Sequence, residues 1–147
     1  MLSKERQEEV VELCQHLIQK QSYSGHEDGV AGVLEEQLKK KGFDSVTIDK
    51  YGNVIGCIKG NRPGKKILFD GHIDTVPVTD ETEWQYPPFA AEIHDGKIYG
   101  RGTSDMKGAV SGFVTAAAAF AEDTKKDFAG EIYVAGVVHE ECFEGVA

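Results

Sequence analysis

In the run LFDGHIDTVPV, residues 68–78, His72 and Asp74 stand two positions apart where an apolar stretch ends and a proline closes it. Two more polar clusters share that setting: Asp105 in GRGTSD after KIY, and Glu140 and Glu141 in HEE after IYVAGVV. Open α/β sheets bind ligands outside the carboxyl ends of their strands. Gathered at one such edge, His72, Asp74, Asp105, Glu140 and Glu141 make an acidic pocket, and several close carboxylates cannot all stay ionised without a cation. A metal ion resolves that conflict. Imidazole plus carboxylate without thiolate suits zinc, cobalt or manganese in a hydrolytic centre rather than a structural, cysteine-bound zinc. Each motif alone has a plainer reading. His-x-Asp is ordinarily a surface hydrogen-bonded pair, Asp105 a helix N-cap, and Glu140 with Glu141 a solvated pair. Their recurrence at three strand ends favours a site.

The elements that must position these groups follow from periodicity. Val10, Leu13, Cys14, Leu17 and Ile18 recur at helical spacing over residues 4–20, an amphipathic helix with one stripe for the core. SGHE, Ser24 to Glu27, matches a capping box, and Val30, Val33, Leu34 and Leu38 continue on one face as far as Gly42. From Phe43 the period becomes two. Strands are expected at 45–50, 53–59 and 66–70, separated by YGN and GNRPG, as a meander leading into LFDGHID. Asp95-Gly96 predicts a type I′ hairpin between two short strands, because both central residues of that turn take positive φ. Residues 103–123 are alanine-rich and helix-prone, with Ser104 or Asp105 available to cap the start. The run GEIYVAGVV, 130–138, reads as a strand buried on both faces. Helices mixed with covered strands imply an α/β fold, and no linker or repeat divides residues 1–147.

Other motifs fail on their neighbours. GNRPGKK is one residue short of a phosphate loop, lacks Ser or Thr after Lys and leads into a strand. GRGTSD places Asp105 where a dinucleotide fingerprint needs its third glycine, and a carboxylate there repels pyrophosphate. HEECF lacks the second His of H-E-x-x-H, and no G-x-S-x-G elbow occurs. His16, His26 and His94 have no metal-like neighbours and read as surface or packing residues. Trp84, Pro87, Pro88 and Phe89 read as loop packing, and Gly100 and Gly102 as places of close backbone approach or positive φ.

Composition narrows the partners. A net charge of −9 and a pI near 5.0 oppose binding to phosphate backbones, so nucleic acid is not an expected partner. Cys14, Cys57 and Cys142 are odd in number and lack CxxC spacing, as in a reduced cytoplasmic protein. The opening MLSKERQEEV is too charged for a signal peptide, and no apolar run has membrane-spanning length.

GHIDTVP, WQYPPF, DGKIYGRGTSDMKG and HEE, in this order and spacing, resemble the dizinc peptidase and deacylase family that includes acetylornithine deacetylase, succinyl-diaminopimelate desuccinylase and aminoacylase. QKQSYSGHE and KKKGFDSVTID extend the likeness over essentially the whole chain. The resemblance implies a three-layer α/β sandwich with a mixed, largely buried sheet, a zinc aminopeptidase-like catalytic domain of which residues 1–147 are the N-terminal part. It further implies hydrolysis of an amide bond in an N-acyl amino acid or small peptide through a metal-activated water. His72 would be a ligand of one zinc, Asp105 the bridge between two, Glu141 a ligand of the other, Glu140 the general base and Asp74 the partner of His72. Cobalt or manganese could substitute. The Asp105–Met106 peptide is expected cis on the same ground. The family's lid or dimerisation domain, a further carboxylate ligand and a last histidine have no counterpart before Ala147, and His139 departs from the family's small or acidic residue. The alternative is a non-catalytic module that folds or associates without turnover, and a homo-oligomer is expected.

Overall fold

The computed structural model describes residues 3–142; Met1, Leu2 and residues 143–147, the ends of the expected 1–147 domain, lie outside it. Three helices form where the apolar stripes predict them: α1, Lys4–Ile18; α2, Asp28–Lys40; and α3, Gly108–Asp123. Ser3 caps α1 by accepting from the Arg6 N–H. Leu13, Leu17, Leu34, Leu38, Val110 and Val114, all almost fully buried, converge from the three helices onto one core. Each such side chain contributes about 1.5–3 kcal/mol on burial.

The strands are β1, Ser45–Ile48; β2, Val54–Lys59; β3, Arg62–His72; β4, Glu92–His94; β5, Lys97–Tyr99; and β6, Ala129–Val137. A four-stranded sheet has the order β1-β2-β6-β3, with β1, β2 and β6 successively antiparallel and β3 parallel to β6. This mixed α/β architecture is the expected fold class. The meander is not observed past β2. After β2 the chain crosses the end of β6, where Gly60 donates to the Gly130 carbonyl and Asn61 to that of Lys126. Turning that way leaves a lane between β2 and β3 that β6 fills. The most continuous apolar run of the sheet thus takes a position flanked on both sides, while β3 lies at the edge with Ile67, Leu68 and Phe69 exposed.

The β4–β5 hairpin forms as expected, with φ of 51° at Asp95 and 74° at Gly96. Neither Ser104 nor Asp105 caps α3. The helix begins at Gly108 with Lys107 as its flanking residue and no side-chain cap, because Thr103–Lys107 forms a separate turn with Asp105 and Met106 in non-helical conformations.

Parallel pairing of β3 with β6 sets His72 opposite Val137, and Ile73 donates to the Val137 carbonyl at 2.8 Å. Two of the three polar clusters therefore emerge side by side. The pairing depends on Gly130, whose φ is +97° and whose Cβ, were one present, would lie 1.9 Å from the Lys65 carbonyl oxygen. Gly130→Ala is expected to destabilise the protein by roughly 3 kcal/mol or more, since both the conformation and the contact resist a side chain. Urea denaturation of the wild type and G130A measures this, and an unchanged midpoint would refute the role of Gly130.

Candidate metal centre

Each arm of the site is held by a different device. His72 closes β3 and is 4% exposed. Its Nε2 lies 2.9 Å from Asp105 Oδ1 and 3.8 Å from Glu140 Oε2. Its Nδ1 faces the backbone carbonyl of Asp74 at 3.1 Å, with the Asp74 carboxylate slightly farther at 3.4 Å. With Nδ1–H donating to the carbonyl, a protonated His72 donates its Nε2–H to Asp105, and the neutral ring has Nε2 free to bind an ion. Burial pulls the His72 pKa down, but the Asp105 hydrogen bond, the Asp74 carbonyl and the charges of Asp74 and Glu140 outweigh it and raise it above the ordinary value.

Asp74 is completely buried, and the hydrogen bond to His72 comes from its backbone carbonyl, not from its carboxylate as expected, because the carboxylate is turned toward other donors. Oδ2 accepts from Ser24 Oγ at 2.7 Å and from the Glu141 N–H at 3.1 Å, while Oδ1 accepts from the Glu140 N–H at 3.3 Å. Backbone donors thus compensate a buried charge. Ser24 arrives because residues 22–24 run beside 73–75: Thr75 donates to the Ser22 carbonyl, Ser22 Oγ to that of Ile73, and Tyr23 bridges Thr75. The predicted capping box is therefore absent. Ser24 binds Asp74, and buried Glu27 accepts through Oε1 from the His139 N–H at 3.2 Å instead of reaching back to its own helix. His139 takes a left-handed φ of 61° at this turn, so its backbone rather than its ring accounts for its contact with Glu27.

Asp105 comes from the turn after β5, and its side chain is 76% exposed. Gly102 has φ of +87°, and a Cβ on Gly100 would meet Ile18 at 2.7 Å, so both glycines act as expected. The Asp105–Met106 peptide is cis, also as expected. Lys107, two residues on, was not anticipated. It is fully buried and its ammonium donates to the Leu17 and Lys20 carbonyls, 2.9 Å each, in the last turn of α1 and just past it. Burial pushes its pKa down to about 8. The hint in the sequence is a lysine placed directly before a helix with no other basic residue.

His72, Asp105 and Glu141 offer ligand atoms that all lie within 4.8 Å of one another, and Glu140 borders the same space. Asp74 stands behind them. Their donor set, one imidazole and two carboxylates, fits a divalent ion such as zinc.

A model of peptidase family M20/M25/M40 matches residues 68–147, a stretch that holds every one of these groups. The chain belongs to that family. It is 39% identical over 132 residues to the succinyl-diaminopimelate desuccinylase of Beijerinckia indica, covering 85% of this chain and 34% of the relative. The enzyme of the same name from Roseobacter denitrificans is 35% identical over 137 residues, covering 92% and 36%. An M20 family metallo-carboxypeptidase from Sulfolobus solfataricus shares the fold with a TM-score of 0.75 and 25% identity, over 97% of this chain and 34% of that one. The chain thus spans about a third of the length of the curated relatives it matches.

Removing the Asp74 carboxylate leaves two backbone N–H groups and a hydroxyl without their acceptor. Asp74→Ala is expected to cost about 2–4 kcal/mol of stability, and Ser24→Ala about 1 kcal/mol, because it deletes only one donor. Chemical denaturation of both variants tests the ranking; equal losses would show that Asp74 does not organise the Glu140–Glu141 turn.

Proposed function

We propose that the protein is a metal-dependent hydrolase of amide bonds, acting on N-acyl amino acids or short peptides. The convergence of His72, Asp105 and Glu141 beside Glu140 carries the reading. We assign His72 to one ion, Glu141 to a second and Asp105 to both, with zinc the expected metal and cobalt or manganese as substitutes. Such ions, when bound, acidify a water and polarise the scissile carbonyl. The residues of the chain do the remainder. Glu140, with its side chain 58% exposed and its backbone pinned by Asp74, accepts the water proton on its carboxylate and returns it to the departing amine nitrogen. Asp74 keeps the Glu140–Glu141 turn and the His72 ring in place. The names of the relatives support an acyl amino acid or peptide as substrate.

We also read residues 1–147 as the N-terminal part of a catalytic domain, in line with the share of its relatives that the chain spans. No helix among the described residues is long and apolar enough to cross a membrane. Cys14, Cys57 and Cys142 are all free, as a reducing cytoplasm would keep them. The module reading, association without turnover, draws on one observation: Ile67, Leu68 and Phe69 are exposed on the edge strand β3. The 147-residue chain expressed alone is expected to self-associate through that edge, and sedimentation showing only monomer at micromolar concentration would remove this support.

In the whole protein, Glu140→Gln should retain its metal and lose 10²-fold or more of turnover, because it deletes the proton acceptor and no ligand. Glu141→Gln should instead weaken binding of one ion. Metal content by atomic emission, read beside hydrolysis of N-acyl amino acids, separates the two; metal loss in E140Q with full occupancy in E141Q would exchange their roles.

A further inference from the structure

Past β6 the chain leaves the sheet, and four successive backbone N–H groups donate to side chains: Val138 to Asn53 Oδ1 at 3.0 Å, His139 to Glu27 Oε1 at 3.2 Å, Glu140 to Asp74 Oδ1 at 3.3 Å and Glu141 to Asp74 Oδ2 at 3.1 Å. A neighbouring strand no longer sets the path of the backbone here; side chains from three other segments do. Asn53 is itself held, its Nδ2 donating to Asp49 Oδ2 at 2.9 Å. Successive N–H groups in a turn that contains a left-handed residue form a concavity for anions. His139, with φ of 61°, supplies that residue, and the buried carboxylates of Glu27 and Asp74 fill the concavity.

Glu27 is the member of this set whose presence the fold alone does not explain. It is 6% exposed and forms no ion pair among the described residues, and burying a carboxylate is costly unless donors are aimed at it. It stands at the start of α2, yet its side chain caps none of that helix's N–H groups. It reaches His139 instead, while a Cβ on neighbouring Gly25 would lie 3.6 Å from the His139 ring and Ser24 binds the Asp74 oxygen that also holds the Glu141 N–H. Residues 24–27 therefore grip the stretch that carries Glu140 and Glu141. The Glu140 side chain is 58% exposed, so little packing directs it and the backbone must aim it. We propose that Glu27 is a positioning residue: through the His139 N–H it sets where the carboxylates of Glu140 and Glu141 lie, and thereby how tightly an ion is held and where the proton acceptor stands. The inference rests on the reading of His72, Asp105 and Glu141 as a cation site.

Gln at position 27 keeps an acceptor oxygen for the His139 N–H and removes the negative charge, so it separates placement from electrostatics. Wild type, E27A and E27Q of the whole protein are titrated with zinc by calorimetry, and amide hydrogen exchange over residues 138–141 is followed without metal. E27A is expected to lose about tenfold or more in zinc affinity, as happens when groups that orient zinc ligands are removed, and to exchange faster at His139, Glu140 and Glu141. E27Q should retain most of both properties. V30A opens a cavity in the same helix without touching residues 24–27, and should bind zinc as the wild type does. Zinc affinity in E27A equal to the wild type, or a loss in E27Q or V30A as large as that in E27A, overturns the positioning role while leaving the cation site standing. Failure of the wild type to bind zinc overturns the cation site and this inference with it.

Discussion

The fully buried carboxylate of Asp74, satisfied by hydrogen-bond donors from two distant segments, is the constraint around which this structure is arranged. Asp74 is fully inaccessible, and its charge is tolerated because Ser24 and the backbone N–H groups of Glu140 and Glu141 point at it. Those donors come from two distant parts of the chain and Asp74 from a third, so satisfying one side chain ties the segment before α2, the end of β3 and the turn after β6 together. The same residue accepts from His72 through its backbone carbonyl. One position thereby orients an imidazole with its main chain and a pair of glutamates with its side chain.

The strand ends were legible because they are local: an apolar run followed by His, Asp or Glu can be read in ten residues. Asp95-Gly96 and the glycines before Asp105 were legible for the same reason, their backbone demands being written in their own identity. The misreadings were non-local. Ser24 and Glu27 have the spacing of a capping box, yet their partners lie 50 and 112 residues away, where a buried charge and a left-handed turn outcompete a helix end. The meander failed because its third lane belongs to β6, which appears in sequence only after α3. Lys107 and Arg101 went unnoticed since a basic residue in a loop is ordinarily solvated; only burial and the partners, or their absence, distinguish them.

The two basic residues divide the labour on either side of Asp105. Lys107 spends its donors on the Leu17 and Lys20 carbonyls, and so ties the turn that carries Asp105 to the end of α1. Arg101 is held by Trp84 and Pro88 rather than by any carboxylate among the described residues. A lysine suits the first task because a compact ammonium can be enclosed by backbone oxygens, and an arginine the second because its guanidinium plane stacks on a ring.

Burial sorts the site into a fixed half and an adjustable half. His72 and Asp74 are enclosed, so their geometry is set by packing before any ligand arrives. The side chains of Asp105 and Glu140 are 76% and 58% exposed. Solvent screens their mutual repulsion, which is why like charges can be held so near one another. In the proposed cation site the enclosed imidazole would offer the fixed contact and the exposed carboxylates the adjustable ones. Because the His72 ring is enclosed and hydrogen-bonded to the Asp74 carbonyl, and the Glu141 backbone is held by the Asp74 carboxylate, the place at which these side chains can meet is set by the end of β3 and by Asp74 rather than by the exposed carboxylates themselves.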